Sequence, residues 1–168
     1  MTKLAWIVIA ALAAGPATAA PLVLTSDGYG PIRIGMTPAK VTAKMGAGFA
    51  LDPGASDGAC QQASVKRYPG MSLMFQSGRL TRISLLTGSR IAAGRGVKVG
   101  DPEAKVRRLY GTGLKVEPHK YEAPPAAYLT AIEARTGRGI KFSTSEKRKV
   151  EQIDAGEAGA IALVEGCL

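Results

Sequence analysis

Ile32 to Gly46, IRIGMTPAKVTAKMG, returns at Val97 to Gly111 as VKVGDPEAKVRRLYG. A chain that repeats itself in this way is expected to build its fold from two copies of one small unit. At an offset of 65 residues, Gly35/Gly100, Ala39/Ala104, Lys40/Lys105, Val41/Val106 and Gly46/Gly111 are identical, and Ile32/Val97, Arg33/Lys98 and Ile34/Val99 are conservative exchanges. The likeness continues downstream. Ser64–Gly70 lies over Ala131–Gly137 at an offset of 67, where Leu73 and Phe75 meet Ile140 and Phe142, and at an offset of 70 Leu80 and Ile83 meet Val150 and Ile153. The offset widens only where Gly, Ser, Pro and charged residues cluster, so the insertions fall in loops.

Each copy reads as a strand, a turn and a short helix. Ile32-Arg33-Ile34 alternates apolar and basic, Thr37 caps a helix that Pro38 opens, Val41 and Met45 share its apolar side, and Gly46 closes it. In the second copy Asp101 caps, Pro102 opens, and Val106, Leu109 and Tyr110 face inward before Gly111. Two-turn helices do not survive alone in water, since isolated helices shorter than about 12 residues are marginal. Both must therefore pack on a sheet.

The sheet follows in each unit. Strands are expected at about Gln61–Tyr68, Met71–Gln76 and Leu80–Leu86, and again at Ala127–Arg135, Arg138–Phe142 and Lys149–Asp154, with loops at Ala47–Ala59 and Glu117–Pro125 and one more strand at Ala160–Val164. The fold class is α+β: two tandem repeats, each a short strand and short helix followed by about three antiparallel strands, with the helices on one face of the sheet. Residues 20–31 lead in, 32–88 form the first unit, 89–96 link, 97–155 form the second, and 156–168 supply a last strand and a disulfide-bonded tail.

Residues 1–19 stand outside this plan. Lys3, the apolar run Leu4–Ala14 and the small-x-small site Ala17-Thr18-Ala19 read as a secretory signal cleaved near Ala19. The run has 11 residues, whereas a bilayer span needs about 20. An exported chain meets an oxidising compartment, and Cys60 and Cys167, its only cysteines, are then expected to pair.

Charge narrows the partner. Without Lys3 the chain keeps 21 of its 22 basic residues against 13 acidic ones, a formal charge of +8. That excess favours an acidic envelope protein or an anionic envelope polymer such as lipopolysaccharide, and export argues against nucleic acid. Alternation puts Val65, Leu73, Phe75, Ile132, Ile140 and Phe142 on the buried face and leaves the other face polar and basic, so Lys66, Tyr68, Met74, Arg82, Arg135 and Lys141 are the candidate partner-binding residues.

Catalytic chemistry is sparse. His119 is the sole imidazole, no nucleophile-elbow motif occurs, and the spacing of one histidine and two distant cysteines fits no metal motif. The expected class is therefore a non-enzymatic binding module without cofactor or metal, with a hydrolase centred on His119 as a remote alternative. The run Ile34-Gly35-Met36-Thr37 with Val41 and Gly46, echoed by Val99-Gly100, Val106 and Gly111, resembles the envelope-module superfamily of the β-lactamase inhibitory proteins and the SmpA/OmlA-type outer-membrane-assembly lipoproteins. The resemblance implies a helical layer on an antiparallel sheet, an extracytoplasmic location, and an inhibitor or adaptor role rather than catalysis.

Overall fold

A computed structural model describes residues 22–46, 49–56 and 58–167, with 49–56 followed as backbone. The signal reading of residues 1–19 lies outside them. The fold is α+β and holds two sheets among the described residues. Three two-residue strands, β1 (Leu24–Thr25), β2 (Gly28–Tyr29) and β3 (Ile32–Arg33), form a small meander. After α1 (Pro38–Met45) come β4 (Phe49–Ser56), β5 (Cys60–Val65), β6 (Met71–Gln76) and β7 (Arg79–Leu85). After α2 (Glu103–Tyr110) come β8 (Lys115–Pro118), β9 (Ala127–Glu133), β10 (Arg138–Thr144) and β11 (Val150–Glu157), and α3 (Ala158–Ala162) ends the order. The eight later strands make one antiparallel sheet in the order β4-β5-β6-β7-β11-β10-β9-β8.

Thr37 caps α1 as its position predicts, its hydroxyl accepting from the Lys40 N–H, while Gly46 closes the helix at φ 74°. Gly35 and Gly100, at φ 90° and 91°, make the same turn before each helix. The Gly35 N–H donates to Leu80 O and the Leu80 N–H to Met36 O, while the Gly100 N–H donates to Val150 O and the Val150 N–H to Asp101 O. Each turn is thereby stitched to the first half of a central strand. Asp101 departs from expectation: it does not cap α2, whose N-cap is Pro102, but accepts from the Lys98 N–H at 2.7 Å and pairs with Lys105 at 2.8 Å. Burial tends to raise its pKa, but these two partners outweigh it and hold the carboxyl below its ordinary value.

The core lies between the sheet and the α1/α2 layer. Val41 of α1 and Val106 of α2 share one cluster with Leu73, Phe75, Ile83, Leu85, Leu129, Phe142 and Ile153. Phe75 and Phe142 are 1% and 0% exposed, so both act as packing residues. Burying such a side chain contributes roughly 1.5–3 kcal/mol.

Four further local readings need correction. Phe49–Ser56 is a strand rather than a loop, and Lys115–Pro118 forms an edge strand reaching into the proline-rich segment. The expected strand at Ala160–Val164 is instead part of α3 and the tail beyond it. Ile132 is 46% exposed, because the register puts Leu129 and Ala131 on the core face and turns their neighbour away; a one-residue slip inverts every side chain of a strand. Glu103, in the first turn of α2, is 2% exposed and meets Arg107 at 2.6 Å and Arg148 at 3.5 Å.

Cys60 and Cys167 form a disulfide with Cα atoms 5.5 Å apart. It ties the tail that follows α3 to the start of β5.

Candidate functional site

The face of the large sheet turned away from α1 and α2 carries three cross-strand rows. One runs Ser64, Ser72, Ser84, Asp154, Lys141, Thr130 and Lys115, each directly opposite the next on the neighbouring strand. Beside it on one side run Gln62, Met74, Arg82, Gly156, Gly139 and Ile132, and on the other Gln152, Ser143, Tyr128 and Glu117. Polar residues at every second position are a signature of a face that meets water. Here water reaches only part of it.

Helix α3 packs on β10, β11 and β7 over this face, burying Ala160 and Ile161. The adjacent Gly156 and Gly139 carry no side chains that would hold the helix off. The tail then crosses toward β5, with Gly166 packed against Gln62 and Arg82. The Arg82 guanidinium donates to Ala160 O at 3.2 Å and Leu163 O at 2.7 Å, which fixes the end of α3.

A charged cluster lies beneath this strap. Asp154, fully buried, accepts from Ser84 Oγ at 2.6 Å and from Gln152 Nε2 at 2.8 Å, and faces Lys141 Nζ at 3.4 Å and Arg82 Nε at 3.8 Å. Arg82 Nε is buried without a hydrogen-bond partner. Lys141 also sits 5.3 Å from the centre of the Tyr128 ring, a cation–π contact. Two cations share one carboxylate, so the cluster carries an excess of one positive charge. Burial pushes the Lys141 pKa below its ordinary value, Asp154 opposes that shift, and Arg82 adds to it.

Lys141, Tyr128 and Val164 border two cavities, one on either side. A cavity of about 450 Å³ is lined further by Thr130, Ile132, Ala158, Ile161 and Ala162, with Lys115 and Lys120 at its rim. A second, of about 420 Å³, is lined further by His119, Tyr121, Glu122, Ser143, Glu151 and Gln152. Together they form an open trough between the β8–β9 loop and the α3 strap. Both volumes fall within the size class of ligand sites.

The β8–β9 loop is built around His119. Its ring lies 4.5 Å from that of Tyr128, and its Nδ1 accepts from the backbone N–H groups of Tyr121 (3.3 Å) and Glu122 (3.1 Å), which places the ring proton on Nε2. The Lys120 N–H donates to the Tyr128 hydroxyl, and Lys120 Nζ reaches Glu165 of the tail at 3.9 Å. The imidazole therefore orders the β8–β9 loop through its Nδ1 atom.

The six candidate partner-binding residues do not converge. Met74, Arg82 and Lys141 share the covered face at 2%, 5% and 5% exposure. Lys66 is exposed in the β5–β6 turn, and neighbouring Tyr68 packs edge-on against Tyr29, with ring centres 5.3 Å apart. Arg135 is exposed in the β9–β10 turn, at the opposite end of the sheet. Asp154, Ser84, Gln152 and Tyr128 belong to no motif that marks them in the sequence. Their period-two spacing on β7, β9 and β11 was the available signal.

No family model, curated protein or solved structure matches this chain. Among the described residues no helix is long and apolar enough to cross a membrane.

Proposed function

We propose that the protein is an extracytoplasmic, non-enzymatic binding module, acting as an adaptor or inhibitor, that receives an acidic protein partner in the trough beside Lys141. The observation that carries this reading is the excess positive charge of the Arg82–Lys141–Asp154 cluster, which Lys141 brings to the wall of the larger cavity. A buried charge lacking a full complement of counter-charge favours an incoming anion, and such pairs contribute mainly to specificity and encounter. The expectation of a non-enzymatic role is supported by His119, whose Nδ1 is committed to two backbone amides.

The Cys60–Cys167 disulfide supports an oxidising compartment, and the signal-like segment 1–19 agrees with periplasmic or secreted placement. Tandem duplication is supported by the matched Gly35/Leu80 and Gly100/Val150 hydrogen bonds and by a strand order symmetric about the β7–β11 pair. On this reading each unit is one glycine turn, one helix and four strands. The layered architecture is compatible with the resemblance to the β-lactamase inhibitory and SmpA/OmlA-type envelope modules.

The test is capture from an extracytoplasmic extract of the source cells. Ile132→Asp sets a carboxylate at the trough mouth, while Thr42→Asp adds the same charge to exposed α1 on the far side. Loss of the captured partner with the first variant alone supports the reading; equal capture by both variants refutes it. The exposed basic residues Lys147, Arg148 and Lys149 on the β10–β11 turn favour a second reading, an envelope assembly or stabilising protein bound to lipopolysaccharide or wall polymer. Salt-sensitive sedimentation with isolated envelopes, unaffected by Ile132→Asp, is its distinguishing result.

A further inference from the structure

We infer that the trough takes the C-terminus of its partner, an apolar last residue in the larger cavity with its free α-carboxylate against Lys141. The inference rests on the trough being the recognition site and names the chemistry recognised there.

Charge comes first. Arg82, Lys141 and Asp154 sum to one excess positive charge, and the rim of the larger cavity adds none to it, because Lys115 pairs with Glu117 at 2.9 Å and Lys120 with Glu165 at 3.9 Å, whereas Glu122 and Glu151 on the smaller cavity turn an anion toward the larger one. A single carboxylate neutralises the cluster, whereas a phosphate monoester, at about −1.5 to −2, overshoots it. Donor geometry agrees. Lys141 has three N–H donors, and its contact with Asp154 at 3.4 Å engages one of them. The Asp154 oxygens are already bonded to Ser84 and Gln152, so the cluster has spare donor capacity rather than spare acceptor capacity.

The cavity walls fix what accompanies the carboxylate. Ile132 is 46% exposed on one side, and Ala158, Ile161, Ala162 and Val164 form the other. This pocket suits an aliphatic side chain. Thr130, Glu117 and Lys115 bring hydrogen-bonding groups to the same cavity, and a peptide's amides need such partners while an acyl chain does not. Capture of a chain terminus is an established recognition mode, in which one charge and one side-chain pocket supply the selectivity.

Binding of acetyl-Ala-Ala-Leu with a free carboxylate, of its carboxamide, and of dodecanoate can be compared by NMR titration of the 15N-labelled, disulfide-bonded protein. The free acid is expected to shift the amides of Tyr128, Thr130 and Lys141 and to bind at least tenfold more tightly than the carboxamide, a charged hydrogen bond being typically worth that much or more. Lys141→Met should bring acid and carboxamide to equal affinity. Ala162→Trp, which fills the cavity from an exposed position on α3 without touching the cluster, should abolish binding of both. Equal affinities in the native protein overturn the inference, as do a preference for the acid that survives Lys141→Met, binding that survives Ala162→Trp, or dodecanoate binding more tightly than the peptide. If Ile132→Asp abolishes partner capture while the native protein treats acid and carboxamide alike, the recognition site stands and only the C-terminal assignment fails.

Discussion

Removing the negative charge of Asp154 is expected to be the most damaging single change on the strapped face. Asp154→Asn preserves the volume of the side chain and one acceptor oxygen, so the Ser84 bond at 2.6 Å can survive. What disappears is the one carboxylate that pairs with Arg82 and Lys141 among the described residues, the two side chains each being 6% exposed. The cluster then holds two unneutralised cations, and leaving a buried pair without its partner costs about 3–5 kcal/mol. With a urea slope of about 2 kcal/mol per M, the unfolding midpoint falls by about 1.5–2.5 M. Lys141→Met leaves Arg82 paired with Asp154 and the cluster neutral, so its expected cost is about 1 kcal/mol or less. The double variant returns the cluster to a single cation that still donates to Ala160 O and Leu163 O. It should be about 2 kcal/mol more stable than the sum of the two single effects requires, a coupling measurable by urea denaturation of the oxidised proteins. An Asp154→Asn midpoint within 0.5 M of the native one (about 1 kcal/mol at that slope), or strict additivity, would refute the charge-sharing account.

The remaining expectations concern the strap, one glycine and two titrations. Cys60→Ser with Cys167→Ser opens a loop spanning 107 residues and should cost about 4–5 kcal/mol in the chain-entropy model; hydrogen exchange should accelerate first at α3 and at Arg82, and unchanged exchange there would contradict a tail clamped by the disulfide. Gly156 has φ 149°, and a Cβ there would strike Thr81 O and the Arg82 Cα, so Gly156→Ala should destabilise by about 3 kcal/mol in the same urea assay; an effect below 1 kcal/mol would show that β7 and β11 pair less closely than this. Lys141 binds its proton less tightly folded than unfolded, since burial lowers its pKa from 10.5. Stability should therefore rise with pH between the depressed folded value and the unfolded one, and Lys141→Met should remove that rise. Asp101 gives the same direction in the acid range: its carboxyl is held below the ordinary value, so its contribution is complete above the unfolded pKa and is lost as pH falls through the folded one. Asp101→Asn should flatten that acid limb, and an unchanged acid limb would exclude Asp101 as a contributor.

The parts of the fold that sequence made legible are those governed by local chemistry. Thr37, Pro38 and Gly46 mark α1 because capping, ring geometry and positive φ act within a few residues, and the inner strands are bounded by turn residues such as Pro69-Gly70 and Ser77-Gly78. What sequence hid was set by distant contacts. Ala160–Val164 is apolar enough for a strand, yet it becomes helix and tail because the glycines at 139 and 156 admit a small-residue helix onto the sheet. That covering turns Arg82 and Lys141 from an exposed basic face into a buried cluster, and it cannot be read from the alternation that correctly placed both on the non-core side. Ile132 differs for another reason: the strand pairing sets Ala131, not Ile132, in the core position equivalent to Ala63, and that one-residue step moves a large apolar side chain from core to trough wall. The trough itself depends on a proline-rich loop ordered by the Nδ1 atom of His119, a role that a lone histidine does not announce.

Recognition in the trough is tested most directly by site-specific photo-crosslinking in the extracytoplasmic fraction, with a photoreactive residue placed at Ile132 in the trough or at Thr42 on α1. A discrete adduct is expected from position 132 that disappears when Ala162→Trp fills the cavity, and none from position 42. Adducts of equal yield from both positions, or an adduct at 132 that persists with the cavity filled, would contradict recognition in the trough.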